Sequence, residues 1–167
     1  MADALTTALQ LVLSARDVKD TDLTDAIDQL TLDKGDTLAA GTSTDQADVI
    51  FHDTRSLAAT SEDLDLAGTL LDTYGNTATF ATIKGLLIHN KNTTTAHTLA
   101  IGGAAASTMD NIFASTTDIL NIGPNGLLLL WNPTDGYDVT SATADLLKID
   151  GGANTVTYDI VVIGTSA

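Results

Sequence analysis

The sequence predicts an all-β protein, an antiparallel β-sandwich or jelly roll with one or two short helical turns and an extended N-terminal arm. Short segments rich in Leu, Ile, Val and Thr recur at intervals of about ten residues, with turn residues between them. Residues 155–163 alternate strictly between two faces, which is typical of a half-buried strand. The chain has neither a repeat of fixed period nor alternating strand and helix patterns, so a solenoid or a βαβ fold is disfavoured.

The N-terminal segment, residues 1–14, is expected to form a strand or arm, and residues 15–167 a single sandwich domain. Its apolar positions alternate at period two near the end of the segment. An apolar strand at a terminus can add to a sheet of another subunit. The candidate intersubunit contacts are therefore Leu5, Leu9, Leu11 and Leu13.

The next segment, residues 16–36, is dense in aspartate. Leu23, Ile27 and Leu30 would fit one face of a short helix, whereas residues 27–32 could equally form a strand closed by a turn at Gly35. We favour the strand. Residues 39–48 are small and polar and predict a loop. Residues 49–56 are again rich in β-forming residues and predict a strand.

Residues 64–90 contain an apolar run, a turn and a second apolar run, and we expect the rest of the chain to pack around them. Gly75 and Asn76 suit the turn because both tolerate positive φ. The second run, residues 83–88, predicts a strand. Residues 78–82 could form a first short helical turn, although the threonines there favour an extended chain.

The C-terminal half predicts several further strands. Residues 99–103 predict one of these strands, and residues 109–113 predict a second short helical turn. Two apolar segments, 119–122 and 127–131, flank Pro124 and Gly126, which predicts a β-hairpin. Shorter strands are expected at residues 137–139 and 145–149.

Charge and composition limit the function. The chain has 22 acidic and 7 basic residues, a net charge of −15, which would repel a nucleic-acid backbone. A hydrophobic content of 44% nevertheless requires a packed core. We see no signal peptide, and the longest apolar run, 127–131, is far too short to span a bilayer. We expect a soluble protein made in a cytoplasm, with no nucleic-acid or membrane partner.

The histidines offer little chemistry. His52, Asp53 and Arg55 are close in sequence, but neighbouring strand residues point to opposite faces, so we expect an ordinary salt bridge from Arg55. His89 and His97 could meet across a hairpin, yet no third metal ligand accompanies them. Without cysteine, disulfides and thiolate metal sites are excluded.

Paired carboxylates are the remaining candidates. Asp20, Asp22 and Asp25 lack the glycine and the bidentate glutamate of a calcium loop, and Asp63 and Asp65 share one face of a strand. A solvated acidic surface is the expectation for both groups. Trp131 is expected in the core or at an interface. We therefore predict no catalytic residue, no cofactor and no metal ligand, and no enzymatic activity.

Four stretches of sequence resemble a known group of proteins. They are DVIFHDTRSLAATSEDLDLAG (48–68), LLDTYGNTATFATIKGLLIHN (70–90), IGPNGLLLLWNPTDGYDVTSATADLLKI (122–149) and the ending VTYDIVVIGTSA. Together they cover most of the chain. They resemble the small, acidic, cysteine-free virion proteins encoded by tailed bacteriophages and prophages.

The resemblance implies a structural role in the virion, most of all a jelly-roll decoration or cement protein on the head surface. Such a protein is expected to bind the major capsid protein as a homotrimer and to stabilise the shell. The resemblance carries over no catalytic residue. Two alternatives stay open: a tail or fibre component that contacts the host surface, and a carbohydrate-binding β-sandwich module.

Overall fold

The structure, a computed structural model, describes residues 5–104, 106–113 and 115–166. These residues form twelve β-strands and no helix, so the predicted all-β fold is confirmed. The strands are β1 (Thr7–Lys19), β2 (Ala26–Ala40), β3 (Gln46–Ala47), β4 (Val49–Ala58), β5 (Ser61–Asp65), β6 (Thr82–Asn90), β7 (Leu99–Gly102), β8 (Ile119–Ile122), β9 (Leu127–Trp131), β10 (Tyr137–Asp138), β11 (Leu146–Asp150) and β12 (Thr155–Thr165).

Most of the chain forms a β-sandwich of two antiparallel sheets, here called the body (the described residues from 41 to 166). In the first sheet, β12 lies between β4 and β6, and both β9 and β10 pair with the other edge of β6. The second sheet has the order β5-β11-β7-β8. A third sheet has the order β1-β2-β3, in which β1 and β2 precede the body and the short β3 belongs to it.

The core lies between the two sheets of the body. As the alternation in the sequence predicts, β12 turns one face inward, and its fully buried side chains are Val156, Tyr158, Ile160 and Val162. They belong to the same apolar cluster as side chains of the second sheet, including Leu64, Leu99, Ile101, Leu147 and Ile149. Burial of both inner faces is the main stabilising contribution to the sandwich.

Residues 64–90 connect the two sheets, since β5 belongs to the second sheet and β6 to the first. The predicted turn is present between them. The Asp72 carboxylate accepts hydrogen bonds from the backbone N–H groups of Tyr74 and Asn76, and Gly75 has a φ of 84°. Leu66 and Leu70, just before the turn, are buried in the core.

Neither predicted helical turn is observed. The backbone N–H groups of Ala78 and Phe80 donate to the carbonyls of Leu70 and Leu66, which keeps residues 78–82 extended. In the second segment, the N–H of Met109 donates to the carbonyl of Leu146. That segment makes one local bond, from the N–H of Phe113 to the carbonyl of Asp110, which closes a single turn without forming a helix.

The predicted hairpin between residues 119 and 131 is wrong. β8 pairs with β7 in the second sheet, whereas β9 pairs with β6 in the first. The turn at Gly123 and Gly126 is present, but it carries the chain from one sheet to the other. The buried side chain of Asn90 explains this, because its amide donates to the carbonyls of Ile122 and Gly123 and fixes the chain at the crossing.

Candidate interaction surface

The strands β1 and β2 form a long antiparallel ribbon, residues 7–40, outside the sandwich. Its thirteen cross-strand pairs run without a bulge from Thr7 opposite Leu38 to Lys19 opposite Ala26. At about 3.4 Å per residue, the ribbon is about 40 Å long. Every residue from 10 to 35 is exposed, so the outer part of the ribbon contributes nothing to the core.

One side of this ribbon is apolar. Partners across an antiparallel pair point to the same side, so the register brings leucines of both strands together. Leu13 lies opposite Leu32, and Ala15 lies opposite Leu30. We call this side the leucine face; its leucines are Leu9, Leu11, Leu13, Leu30 and Leu32.

The leucine face is exposed beyond its first residue. Leu11, Leu13, Leu30 and Leu32 are 41%, 54%, 55% and 51% exposed. The opposite side is mainly polar along the same stretch, with Ser14 opposite Thr31. An isolated two-stranded ribbon is at best marginally stable in water, and a contiguous exposed apolar surface is typical of an interaction site.

The predicted arm and the observed ribbon overlap in part. Residues 1–4 lie outside the described residues, and the predicted boundary at residue 14 falls within β1, which continues to Lys19. Leu9, Leu11 and Leu13 share the leucine face. Leu5 precedes β1 and instead lines a cleft with Val49, Ile50 and Tyr74.

Sequence reasoning missed Leu30 and Leu32, which β2 contributes to the same face. A signal for them was present, because Leu30, Thr31 and Leu32 alternate at period two. Residues 26–40, which form β2, fall in the predicted sandwich domain because the predicted arm ends at residue 14.

The base of the ribbon is fastened to the body. Leu38 is only 1% exposed, and the indole Nε1–H of Trp131 donates to a carboxylate oxygen of Asp36 at 3.0 Å. This hydrogen bond, helped by the backbone N–H of Thr37 and the nearby Lys34 ammonium, lowers the pKa of Asp36. Trp131 thus lies at a contact between two parts of the chain.

A glycine makes that contact close. A Cβ atom at Gly85 would lie 2.8 Å from the Cζ3 atom of the Trp131 ring, so the absence of a side chain there lets the indole lie against the sheet. The ring and Leu9 line the same small cavity, of about 100 Å³, with Val161 and Ile163. The ribbon therefore begins by packing on the outer face of the first sheet.

That outer face is unusually apolar. Solvated faces of antiparallel sheets normally carry polar residues. Here Leu87 lies between Leu129 and Val161 in the register. We call the outward apolar residues of this sheet the outer patch; they are Ile50, Leu87, Leu127, Leu129, Trp131, Val161 and Ile163. All are at least partly exposed, and Leu127 is 57% exposed.

A charged network links the two sheets elsewhere. Arg55 on β4 forms salt bridges, as the sequence predicts, and its partners are Asp53 and, on β5, Glu62. The hydroxyl of buried Tyr158 donates to Glu62 at 2.7 Å. Burial alone would raise the pKa of Glu62, but the bonds from Arg55 and Tyr158 outweigh it and lower that pKa. Burial, together with the bond to Glu62, raises the pKa of Tyr158.

The histidines are spread across the body and do not meet. His52 lies 3.0 Å from the Thr73 hydroxyl, His89 lies 3.7 Å from an Asp159 oxygen, and the Nδ1 of His97 lies 3.1 Å from a backbone carbonyl. Within residues 5–104, 106–113 and 115–166, no three histidine or acidic side chains are grouped to hold a metal ion.

An open cleft of about 700 Å³ lies beside the turn at residues 72–76. Tyr74, 89% exposed, stands at its wall with Asp48 and Asp72. Both carboxylates already accept hydrogen bonds from the protein, Asp48 from Ser166 and Asp72 from its own turn. The cleft therefore offers one free aromatic surface but few free polar groups.

Searches with this chain against protein-family models, curated proteins and solved structures give no match. Among the residues that the structure describes, there is no helix of the length and apolar character needed to cross a membrane.

Proposed function

We propose that this protein is a structural subunit of a tailed-bacteriophage virion, a decoration or cement protein that binds the outside of the major capsid shell and stabilises the head. The single observation that carries the proposal is the exposed amphipathic ribbon on a well-packed sandwich. Such a ribbon provides contact area to a neighbouring subunit, and contact area is what a cement protein contributes. The sequence resemblance gives the biological setting.

The connectivity of the body supports this assignment. We infer a jelly roll from the strand order. Without the two-residue strands β3 and β10, the sandwich has eight strands, which we number one to eight along the chain. The first sheet then has the order one, eight, three, six (β4-β12-β6-β9). The second sheet has the order two, seven, four, five (β5-β11-β7-β8). This is the order expected of an eight-stranded double-sheet jelly roll, an architecture that viral capsid proteins use.

The charge of the molecule is compatible with a position on the outside of a particle. A net charge of −15 limits aggregation between particles by like-charge repulsion. We further propose that the protein forms a homotrimer, because a closed ring of three copies matches a threefold position in a shell. In this role the protein acts through contact and performs no catalysis.

Labelling tests the proposal directly. An antibody against this chain would be bound to intact particles and located by cryo-electron microscopy. We expect regular density over the whole head. Labels confined to the tail would indicate a tail or fibre component instead of a head protein. If the particles are unlabelled and mass spectrometry does not detect the chain in them, a role in the virion is overturned.

One observation favours a second candidate, a carbohydrate-binding module. Tyr74 presents an exposed aromatic ring at the edge of a cleft, and aromatic rings of this kind can stack on sugars. A glycan array would test this alternative with the native protein and Tyr74→Ala. Binding that is lost in the variant would support it, whereas the cement proposal expects no specific glycan.

A further inference from the structure

We propose that the ribbon binds a partner of opposite charge, a different protein whose surface presents an apolar strip bordered by lysine or arginine side chains. The contact uses the leucine face and the outer end of the ribbon beyond it, here called the acidic end (residues 17–28). This inference rests on the proposed function, under which that surface belongs to the major capsid protein. It adds the chemistry by which the surface is recognised.

Carboxylates follow the leucines on the same side of the ribbon. Asp17 lies opposite Asp28, two positions beyond the pair of Ala15 and Leu30 on the leucine face. Side chains opposite each other in an antiparallel pair have Cβ atoms about 5 Å apart, and like charges in this position repel each other. None of the ion pairs within the described residues includes Asp17 or Asp28. A cation of a partner protein would relieve this repulsion.

The turn that closes the ribbon combines the same charge with an apolar side chain. The acidic end contains five aspartates and one basic residue, Lys19. Within its turn, Leu23 is 96% exposed, the most exposed of the large apolar side chains that the structure describes. An apolar side chain among carboxylates fits an apolar pocket with a basic border, because protein interfaces combine a buried apolar anchor with a polar rim.

The small size of the exposed apolar surface gives charge a large share in the contact. At about 3.4 Å per residue, the stretch from Leu11 to Ala15 is about 14 Å long, and at a width of about 10 Å its area is about 140 Å². Each partner in a stable interface contributes about 800 Å². The leucines alone therefore cannot hold a partner, and the carboxylates beside them supply further attraction and selectivity.

The body of a second copy does not offer a basic surface of this kind. It has four basic residues. Arg55, Lys91 and Lys148 already pair with carboxylates of the body, and Lys84 is buried and donates to a backbone carbonyl. The base of the chain's own ribbon, residues 7–9, also covers part of the outer patch. Since two copies of net charge −15 repel each other, the partner is a different protein.

The test measures binding of the full chain to capsid shells that were assembled without it. Co-sedimentation over a range of chain and salt concentrations gives the affinity and its salt dependence. The native chain should bind, and its affinity should fall as salt is added, because salt screens the attraction between opposite charges.

The charge variant is Asp17→Asn with Asp28→Asn, which removes the two opposed carboxylates and keeps the size of both side chains. We expect roughly tenfold weaker binding and a flatter salt dependence, because two charge pairs with the partner are lost. The matched control is Asp63→Asn with Asp118→Asn, two exposed aspartates of the body. It has the same net charge as the charge variant and should bind like the native chain.

The apolar variant is Leu13→Thr with Leu32→Thr, a cross-strand pair whose threonines keep the strand preference of the ribbon. It should bind roughly tenfold more weakly, since two half-exposed leucines no longer leave water, but with the salt dependence of the native chain. Its control is Val18→Thr with Ile27→Thr, a pair on the opposite side of the ribbon, which should bind normally. The salt response thus separates the apolar contact from the charged one.

Three results would overturn the inference and leave the proposed function standing. Shell binding that neither ribbon variant changes would mean that another surface makes the contact. Affinity that rises with salt, or an equal loss in the charge variant and its control, would mean that the acidic end meets no basic surface. Self-association of the native chain that the apolar variant abolishes would mean that the leucine face binds a second copy.

Failure of the proposed function gives a different result. A native chain that binds the shells at no salt concentration would overturn the proposed function and, with it, this inference. Thermal unfolding of each variant, unchanged for the body, shows that the effects are not due to misfolding.

Discussion

The body and the ribbon of this protein are built from similar β-forming residues, but the body buries its apolar side chains and the ribbon exposes them. In the body, Val156, Ile160 and Val162 of β12 are fully buried between two sheets. In the ribbon, leucines placed at the same period of two remain about half exposed. The body buries its apolar side chains within itself, whereas the outer ribbon leaves its leucines exposed.

The two regions place different requirements on the sequence, stability in the body and exposed contact area in the ribbon. The body must be stable alone, so its polar groups are also paired, as the network of Arg55, Glu62 and Tyr158 demonstrates. Under the proposed function, the ribbon stays available for contact, and assembly would supply the free energy that orders it. Substitutions should therefore act on unfolding in one region and on association in the other.

The largest effect is expected in the core. Ile160→Ala removes a fully buried side chain from the central strand β12 and should lower the free energy of unfolding by about 2–5 kcal/mol, because a cavity remains. Chemical denaturation measures it. A loss of less than about 1 kcal/mol would contradict the tightly packed core that distinguishes the body from the ribbon.

The second effect concerns the charged network. Glu62→Gln weakens the bonds to Arg55 and Tyr158 and should destabilise the body by about 1–3 kcal/mol. Because the folded-state pKa of Glu62 is lowered, its contribution is present above the ordinary value of 4.5 and is lost as pH falls below it. The variant should therefore lose less stability than the native chain as the pH falls from above 4.5 through the lowered folded-state pKa of Glu62.

The matched control for that prediction is Asp53→Asn. Asp53 also pairs with Arg55, but its side chain is 45% exposed, so a smaller loss is expected. If both variants lose equal stability and keep the same acid dependence, the link between the sheets does not depend on Glu62.

A smaller effect is expected where the two regions join. Trp131→Phe removes the N–H that donates to Asp36, so the pKa of Asp36 should rise towards its ordinary value. Amide exchange near the base of β1 and β2 should become faster, by roughly tenfold at most, while that of β12 stays the same. An NMR titration and hydrogen exchange measure both; an unchanged Asp36 pKa would exclude the indole as its cause.

The smallest effect is expected in the ribbon itself. Leu30→Ala, at a residue 55% exposed, should change the unfolding free energy of the monomeric chain by no more than about 0.5 kcal/mol. Denaturation at high dilution measures it. A loss comparable to that of Ile160→Ala would mean that the ribbon belongs to the folding core.

Local patterns in the sequence predicted the strands well and their partners poorly. The strict alternation of residues 155–163 marks β12 because one face meets the core over its whole length. The pairing of β8 and β9 could not be read from the turn at Gly126, because a turn of the same residues can close a hairpin or connect two sheets. The decisive contact, Asn90 with Ile122, joins residues far apart in sequence.

The candidate interaction surface was predicted in part. Leu9, Leu11 and Leu13 were identified from their alternation, but Leu30 was not, since only the register of β1 and β2 brings it to the same side. The outer patch could not be predicted, because its sequence pattern is the same as that of a buried strand. An apolar run such as residues 127–131 has this pattern whether its second face lies in a core or on an exposed apolar surface.

The most direct test of the whole account is to remove the outer ribbon. Residues 10–35 would be replaced by Asn-Gly, a two-residue turn that reconnects Leu9 with its partner Asp36, and the variant compared with the native chain by thermal unfolding and by co-sedimentation with capsid shells that lack the chain. We predict that the body unfolds at the same temperature as in the native chain and that binding to the shells is lost. A body that no longer folds, or binding that survives, would contradict the division into a self-sufficient sandwich and a ribbon made for contact.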